Sequence, residues 1–274
     1  MTRTRRLSLA VATAAVAALG LAACSAGGSS GGSDGTVTDG KLTIATGQPA
    51  YSPWIEDDDP ESGKGFESAV AYAVAKEMGY AKGDVVWKRS TFDSAIAPGP
   101  KDWDLNVQQF SIDAKRKKAV DMSTPYYTTT QAVVTTSGSK AAEDTTVAAL
   151  KGDTIGVASG STSIASVKDV LGVTPQVFNS NDDAVLALKS GQIDAIVTDL
   201  PTAFYMAAAQ LDDGTVSAQF PEDGSGDQFG FVLPKGSALT SKVDEALATL
   251  EQDGTLADLQ TKWLSSETNT PVLK

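Results

Sequence analysis

The sequence predicts an α/β fold made of two layered units, with the chain crossing twice between them. Three observations carry this. From Lys41 onward, short apolar strands alternate with helices whose apolar residues recur at helical spacing. After the polar segment that follows Thr136, the same alternation starts again at Thr154. A late apolar strand, Phe229–Pro234, comes after the second set and is placed to return to the first unit. Two crossings, near Gln131–Ser137 and near Asp227–Leu233, permit a hinge, and a hinge lets two lobes close on a ligand.

The elements follow in order. Lys41–Thr46 is the first strand, and Gly47–Trp54 is a loop leaving its carboxyl end. Glu56 to Asp59 with Glu61 forms an acidic loop whose spacing fits no EF-hand. Phe66, Val70, Ala73, Val74 and Met78 mark a helix, which Gly79 ends. Val85–Trp87 is a strand, and Phe92–Ile96 is a short helix stopped at Pro98-Gly99-Pro100. Leu105–Gln109 reads as a strand and Gln131–Thr136 as another. In the second unit, Thr154–Ala158 is a strand, Ser159–Thr162 a turn, Ile164–Leu171 a helix and Pro175–Phe178 a strand. Asn181-Asp182-Asp183 starts a helix with a cap residue and first-turn acids. Ile193–Val197 is a buried-type strand, and Asp199-Leu200-Pro201 opens the next helix. Leu239, Val243, Leu247 and Leu250 share a helix face, and Leu256, Leu259 and Trp263 make a last helix.

At 274 residues the chain can fill one large or two medium domains. Its 41% hydrophobic and 20% charged content is that of a globular protein. Residues 1–23 read as a signal peptide: Arg3, Arg5 and Arg6 precede a short alanine-rich apolar run ending Leu21-Ala22-Ala23. The only cysteine, Cys24, follows directly and resembles the lipidated residue of a bacterial lipobox. Residues 24–40 are rich in glycine and serine and read as a flexible tether. Removing residues 1–23 makes the chain three charges more negative than the full sequence, whose net charge is −12. So acidic a surface argues against nucleic acid as a partner. Membrane attachment would come through the lipid on Cys24.

Much chemistry is excluded. The chain has no histidine, and with one cysteine it has no Cys-His site and no internal disulfide. No P-loop is present, and Gly224-Ser225-Gly226 follows no strand that would make it a dinucleotide loop. No metal and no cofactor are expected. What remains is the stretch Trp103–Tyr127. A hydroxyl at Ser111 precedes Arg116 by five residues, and Pro125-Tyr126-Tyr127 closes the stretch. Arginine binds a carboxylate through a planar fork of donors that lysine cannot copy.

In order along the chain, several motifs resemble those of the bacterial extracellular solute-binding proteins of family 3. Gly65-Phe66-Glu67 is similar to the family's Gly-Phe-Asp entry. Ser111-Ile112-Asp113-Ala114-Lys115-Arg116 resembles its Ser-Ile-Thr-x-x-Arg core, followed by Pro125-Tyr126-Tyr127. Ile155–Thr162 resembles its Val-Gly-Val-x-x-Gly-Thr-Thr turn, and Gly191–Ala195 with Asp199 its Gly-x-x-Asp-Ala strand and following acid. Gly254-Thr255-Leu256 and Lys262-Trp263 resemble the closing motifs. The resemblance runs from about Leu42 to Leu264.

That resemblance implies a two-lobed, type II periplasmic-binding-protein-like fold. Lobe 1 would comprise residues 41–134 and 228–274, and lobe 2 residues 135–227. It implies a monomeric, lipid-anchored protein on the extracytoplasmic face of the cell membrane. Such a protein binds an amino acid or close relative and delivers it to an ABC permease. Arg116 would clamp the ligand's α-carboxylate and Asp199 its α-ammonium. Ser111, Ser161 and Thr162 would add hydroxyl or backbone contacts. Tyr51, Phe92 and Trp54 would form walls. Gln108 and Gln109 stand where the family has small residues, and one residue of strand register decides which faces the cleft. No acid follows Thr46 in the first loop, which weighs against lysine or arginine as ligand. No enzymatic activity is expected. The alternatives are a cyclohexadienyl-dehydratase-like enzyme on this scaffold, with Glu67 as its additional acid, and a ligand-sensing lipoprotein.

Overall fold

The hydrophobic pattern sorts the chain into short strands and flanking helices, and the computed structural model of the protein describes residues 35–221, 227–264 and 270–274. The expected signal segment 1–23, Cys24, the tether to residue 34 and the Gly224–Gly226 linker lie outside the described residues. In chain order the strands are β1 (Leu42–Thr46), β2 (Val85–Arg89), β3 (Leu105–Asn106), β4 (Asp121–Met122), β5 (Tyr127–Thr129), β6 (Gln131–Thr136), β7 (Ile155–Ala158), β8 (Gln176–Phe178), β9 (Ala195–Asp199), β10 (Gly214–Gln219), β11 (Asp227–Phe229) and β12 (Val232–Leu233). The α-helices are α1 (Phe66–Glu77), α2 (Phe92–Ile96), α3 (Arg116–Ala119), α4 (Val147–Leu150), α5 (Ser163–Ser166), α6 (Asn181–Lys189), α7 (Leu200–Tyr205), α8 (Thr240–Gln252) and α9 (Thr255–Leu264). Helix α5 continues as one π turn over Val167–Leu171.

Two five-stranded sheets result, in the orders β2-β1-β3-β12-β4 and β10-β6-β9-β7-β8. In the first, β1 runs parallel to β2 and β3, and β12 is antiparallel to β3 and β4. In the second, β7 runs parallel to β8 and β9, and β6 is antiparallel to β9 and β10. Each sheet is covered on both faces. Leu42, Ile44 and Leu105 pack with Phe66 and Val70 of α1 and with Val243, Leu247 and Leu250 of α8; Ala45, Phe110 and Val232 fill the opposite face. The second sheet buries Val133, Val157 and Val197 on one side and Ala132, Val134 and Ile196 on the other. Strands buried on both faces read as continuous apolar runs, as Ala195–Val197 does. The molecule is thus a two-lobed α/β protein.

Strands β5 and β11 pair antiparallel, Tyr127 opposite Phe229, and form the ribbon through which the chain passes between lobes. The first crossing therefore falls at residues 127–130, not within 131–137. The lobe boundaries change accordingly. Residues 131–134, assigned to lobe 1 from sequence, lie in β6 of the second sheet, because Gln131–Val134 pair with Ile196–Asp199. Residues 270–274 also leave lobe 1: Val272 bridges Gln219 of β10, and Leu273 is buried among the second sheet's core residues. The tether is shorter than 24–40, since Asp104 accepts hydrogen bonds from Val37 N at 2.6 Å and Thr43 N at 2.7 Å and so fixes the chain ahead of β1. The expected late strand 229–234 breaks at Gly230-Phe231 into β11 and β12. A Cβ on Gly230 would lie 2.9 Å from the Ile112 side chain, so the chain is pressed close there.

Candidate functional site

Strand β3 ends at Asn106, two residues before Gln108, because Gln109 takes a left-handed backbone, φ 49°. That conformation costs a non-glycine residue roughly 1 kcal/mol and is kept only where the surroundings hold it. Here the holder is Glu67 on the first turn of α1. Its fully buried carboxylate accepts the Gln109 backbone N–H at 2.7 Å, the Gln109 side-chain amide and the Tyr126 hydroxyl. Burial raises the Glu67 carboxyl to about 7 against the lowering pull of these three donors. The kink abolishes the alternation expected of Leu105–Gln109, so Gln108 and Gln109 both line the same cavity.

That cavity, about 350 Å³, lies between the lobes. It is within the range that accepts a small polar ligand. The first lobe contributes Tyr51, Trp54, Phe92, Gln108, Gln109, Ser111 and Arg116, and the second contributes Ser161, Thr162, Asp182 and Asp199. All ten residues singled out in the sequence are therefore at its wall.

Arg116 begins α3 and is 6% exposed. Its turn is set by Asp113, which accepts from the backbone N–H of Lys115 and Arg116 at 2.6 and 2.9 Å and meets Arg116 Nε at 3.3 Å. One terminal nitrogen donates to Ser111 O at 2.5 Å and the other to Gly160 O of the second lobe at 2.8 Å. The guanidinium carries five N–H bonds, so donors remain for a further acceptor. It lies 5.3 Å from the Phe92 ring, a cation–π distance. Burial lowers its pKa, while Asp113, Asp199 and Asp227 oppose the shift.

Gly160 has φ +72°, and a Cβ there would come within 2.6 Å of Asp93 Oδ1 on the facing lobe. Glycine adopts this left-handed turn without strain and leaves room for the Asp93 side chain against the Gly160 backbone.

Asp199 ends β9 and precedes Pro201, yet its side chain does not cap α7. It accepts from Gln131 Nε2 at 2.7 Å, and the same nitrogen donates to Asp227 Oδ2 at 2.6 Å. Gln131 Oε1 accepts from Ser163 at 2.6 Å, and Thr162 donates to Asp227 at 2.9 Å and meets the Ser111 hydroxyl at 3.2 Å. The Asp199 side chain keeps some exposure through the cavity, but protein surrounds it. That desolvation, and then the charge of Asp227, raises its pKa to about 8. Ser161 lines the cavity, and its hydroxyl donates back to Ala158 O at 2.8 Å within its own turn.

Trp54 is 2% exposed, packs at 5.7–6.1 Å on Phe66, Tyr127 and Phe229, and donates to Thr202 across the cleft at 3.0 Å. Tyr51 stacks tilted on Tyr205 at 5.7 Å and donates its hydroxyl to Asp182. Three residues of the site were not found in the sequence: Gln131, Asp227 and Asp182. Gln131 and Asp227 sit beside the crossings, where the sequence held only a polar strand start and one more acid. Asp182 carries the pattern of an ordinary first-turn acid. Glu67, the acid an enzyme reading required, is buried behind Gln109 and does not line the cavity. Among the described residues no group of three or more carboxylates is arranged to hold a metal ion, and no helix is long and apolar enough to cross a membrane.

Two lobes with a polar cleft between them and a ribbon hinge behind it define a ligand-closing binding protein. Residues 42–266 match the model of the bacterial extracellular solute-binding proteins, family 3, and the chain belongs to that family. It is 31% identical over 236 residues to the arginine-binding extracellular protein ArtP of Bacillus subtilis (strain 168), covering 83% of this chain and 88% of the relative. It is 29% identical to the L-cystine-binding protein TcyJ of Escherichia coli (strain K12), covering 79% and 80%. Among solved structures, an ancestral arginine-binding protein bound to glutamine matches with TM-score 0.68 and 32% identity, over 84% of this chain and all of that one. The ancestral amino-acid-binding protein AncCDT-1, a precursor of cyclohexadienyl dehydratase, matches with TM-score 0.65 and 30% identity, over 82% and 95%.

Proposed function

We propose that the protein is the extracytoplasmic binding component of an ABC importer and that it holds an amino acid between its lobes. The observation that carries this is the pairing, in one cavity, of a buried arginine from the first lobe with a desolvated aspartate from the second. An α-amino acid presents a carboxylate and an ammonium at one carbon. Arg116 takes the first and Asp199 the second, and Ser111 and Thr162 complete the grip where the lobes meet. Charge-assisted bonds in a desolvated cleft are stronger than surface pairs. Relatives whose names specify arginine or cystine, and a related structure bound to glutamine, support an amino acid as the class of ligand.

Residues 1–23 then serve as the export signal, and lipidated Cys24 anchors a monomer to the outer face of the membrane beside its permease. Calorimetry with the twenty amino acids tests the ligand class, and heat from none of them removes it. Arg116→Ala is expected to weaken the best ligand by about a hundredfold or more; unchanged affinity removes Arg116 from the site. The dehydratase reading would use Asp199 as its acid, since its pKa of about 8 keeps a proton at neutral pH. Turnover of arogenate or prephenate distinguishes that reading.

A further inference from the structure

The cavity is more acidic than a zwitterion requires. Of its charged lining residues one is cationic, Arg116, and two are anionic, Asp182 and Asp199. Arg116 is also faced by Asp113 and Asp227 behind the wall. If Arg116 and Asp199 hold the α-groups, Asp182 is left over.

Asp182 has its own set of partners: it bonds Tyr51 and Gln210, whereas Arg116 bonds Ser111 and Gly160 and meets Asp113. The carboxylates acting on Arg116 are Asp113, Asp199 and Asp227, whereas those acting on Tyr51 are Asp182 and Asp58. The two sets do not overlap. Asp182 accepts from the Tyr51 hydroxyl and from Gln210 Nε2 at 2.8 Å, both neutral donors. Among the described residues no lysine or arginine makes an ion pair with it. It is only partly exposed. A second acceptor in the same cavity is also unmatched: Gln108 Oε1 is buried without a hydrogen-bond partner. The carboxylate lacks a cation and the buried amide oxygen lacks a donor, and one cationic N–H group would meet both needs. Tyr51, whose hydroxyl donates to Asp182, is an aromatic wall of the same cavity and suits the apolar stem and cationic tip of a long side chain.

The geometry points to an amino acid with a cationic side chain as the ligand, with Asp182 as the counter-charge for that side chain and Gln108 as its companion acceptor. This rests on the amino-acid reading of the cleft. It reverses the weight given to the first loop, which lacks an acid after Thr46. The acid is supplied by the opposite lobe, from the first turn of α6.

The test is calorimetric titration of L-arginine, L-lysine, L-citrulline and L-glutamine into the protein and into Asp182→Asn, with thermal melts to verify folding. Citrulline has nearly the shape of arginine without its charge. The better of arginine and lysine is expected to bind the unaltered protein at least about tenfold more tightly than citrulline or glutamine. Asp182→Asn is expected to weaken that cation by about ten- to a hundredfold and to change the neutral ligands by less than about threefold. A neutral amino acid that binds as tightly as the cations overturns the inference and leaves the amino-acid reading intact. So does a folded Asp182→Asn that keeps full affinity for the cation. Binding of no amino acid at all removes both. The comparison of arginine with citrulline needs no variant, so a misfolded Asp182→Asn does not spare the inference.

Discussion

In the first lobe a parallel trio, β2-β1-β3, is completed by antiparallel β12; in the second, β8-β7-β9 is completed by antiparallel β6. The two lobes repeat one plan, and each completing strand follows a crossing. What they bring to the cleft is opposite. The first lobe brings the cation, both glutamines and the aromatic walls, with a buried carboxyl, Glu67, fixing the loop behind them. The second brings the carboxylates Asp182 and Asp199 and the hydroxyls of Ser161 and Thr162. The difference teaches that neither lobe alone can satisfy a zwitterion. The first offers a carboxylate clamp with no counter-charge for an ammonium, and the second offers the reverse. In the proposed role, a ligand bridging the two lobes would couple binding to the closed shape a permease would recognise.

The comparison is broken most severely at the acid of the second lobe. Asp199→Asn removes the proposed ammonium partner and is expected to weaken binding by about a hundredfold. It also removes a pH dependence. Asp199 has to ionise to hold an ammonium, and the free group titrates at about 8, so affinity rises as pH rises. Titrations are expected to show about a tenfold gain between about pH 6 and pH 7 that levels off above about pH 8, and none of it in the Asn variant. A flat profile in the unaltered protein would break this assignment.

A smaller effect is expected where the lobes touch. Gly160→Ala forces a side chain into a left-handed turn and against Asp93, at the point where Gly160 O meets Arg116. About a tenfold loss of affinity is expected. Small-angle scattering is expected to show incomplete compaction with ligand, and full compaction would mean that Asp93 yields freely.

The smallest change in binding is expected inside the first lobe. Glu67→Gln replaces a carboxylate that accepts three donors with an amide that brings donors of its own. It is expected to cost about 1–3 kcal/mol of stability but only about threefold in affinity. The sign with pH is fixed by the raised pKa. The folded protein holds the Glu67 proton more tightly than the unfolded chain, so this group's stabilisation is complete below 4.5 and is lost as pH rises through about 7. Denaturation curves across that window are expected to flatten in the Gln variant, and an unchanged slope would show that Glu67 does not titrate there.

Much of this was legible in order along the chain. Phe92–Ile96 and Gln131–Thr136 form the elements their patterns indicate, and Asn181 and Thr255 lie at or beside the helix starts expected of them. Arg116, Asp199 and the hydroxyls could be named because their motifs are local. Other features were not legible, for physical reasons. The alternation of Gln108 and Gln109 assumed a regular strand, and a left-handed residue ends one without a glycine to announce it. The shift of residues 131–134 and 270–274 to the second lobe depends on which sheet edge accepts their backbone groups, which hydrophobicity does not encode.

The sequence by itself determined the alternation of strands and helices, the restart that makes two lobes, and the arginine that marks the cleft, because periodicity and short motifs act between near neighbours in the chain. Only the tertiary structure decided that Asp182, 131 residues from Tyr51, meets it across the cleft, and that Gln131 ties Asp199 to Asp227. Those contacts join residues that no local pattern relates. They exist because two separately packed cores bring their polar edges together, and there the charge of each residue is set by its neighbours across the gap.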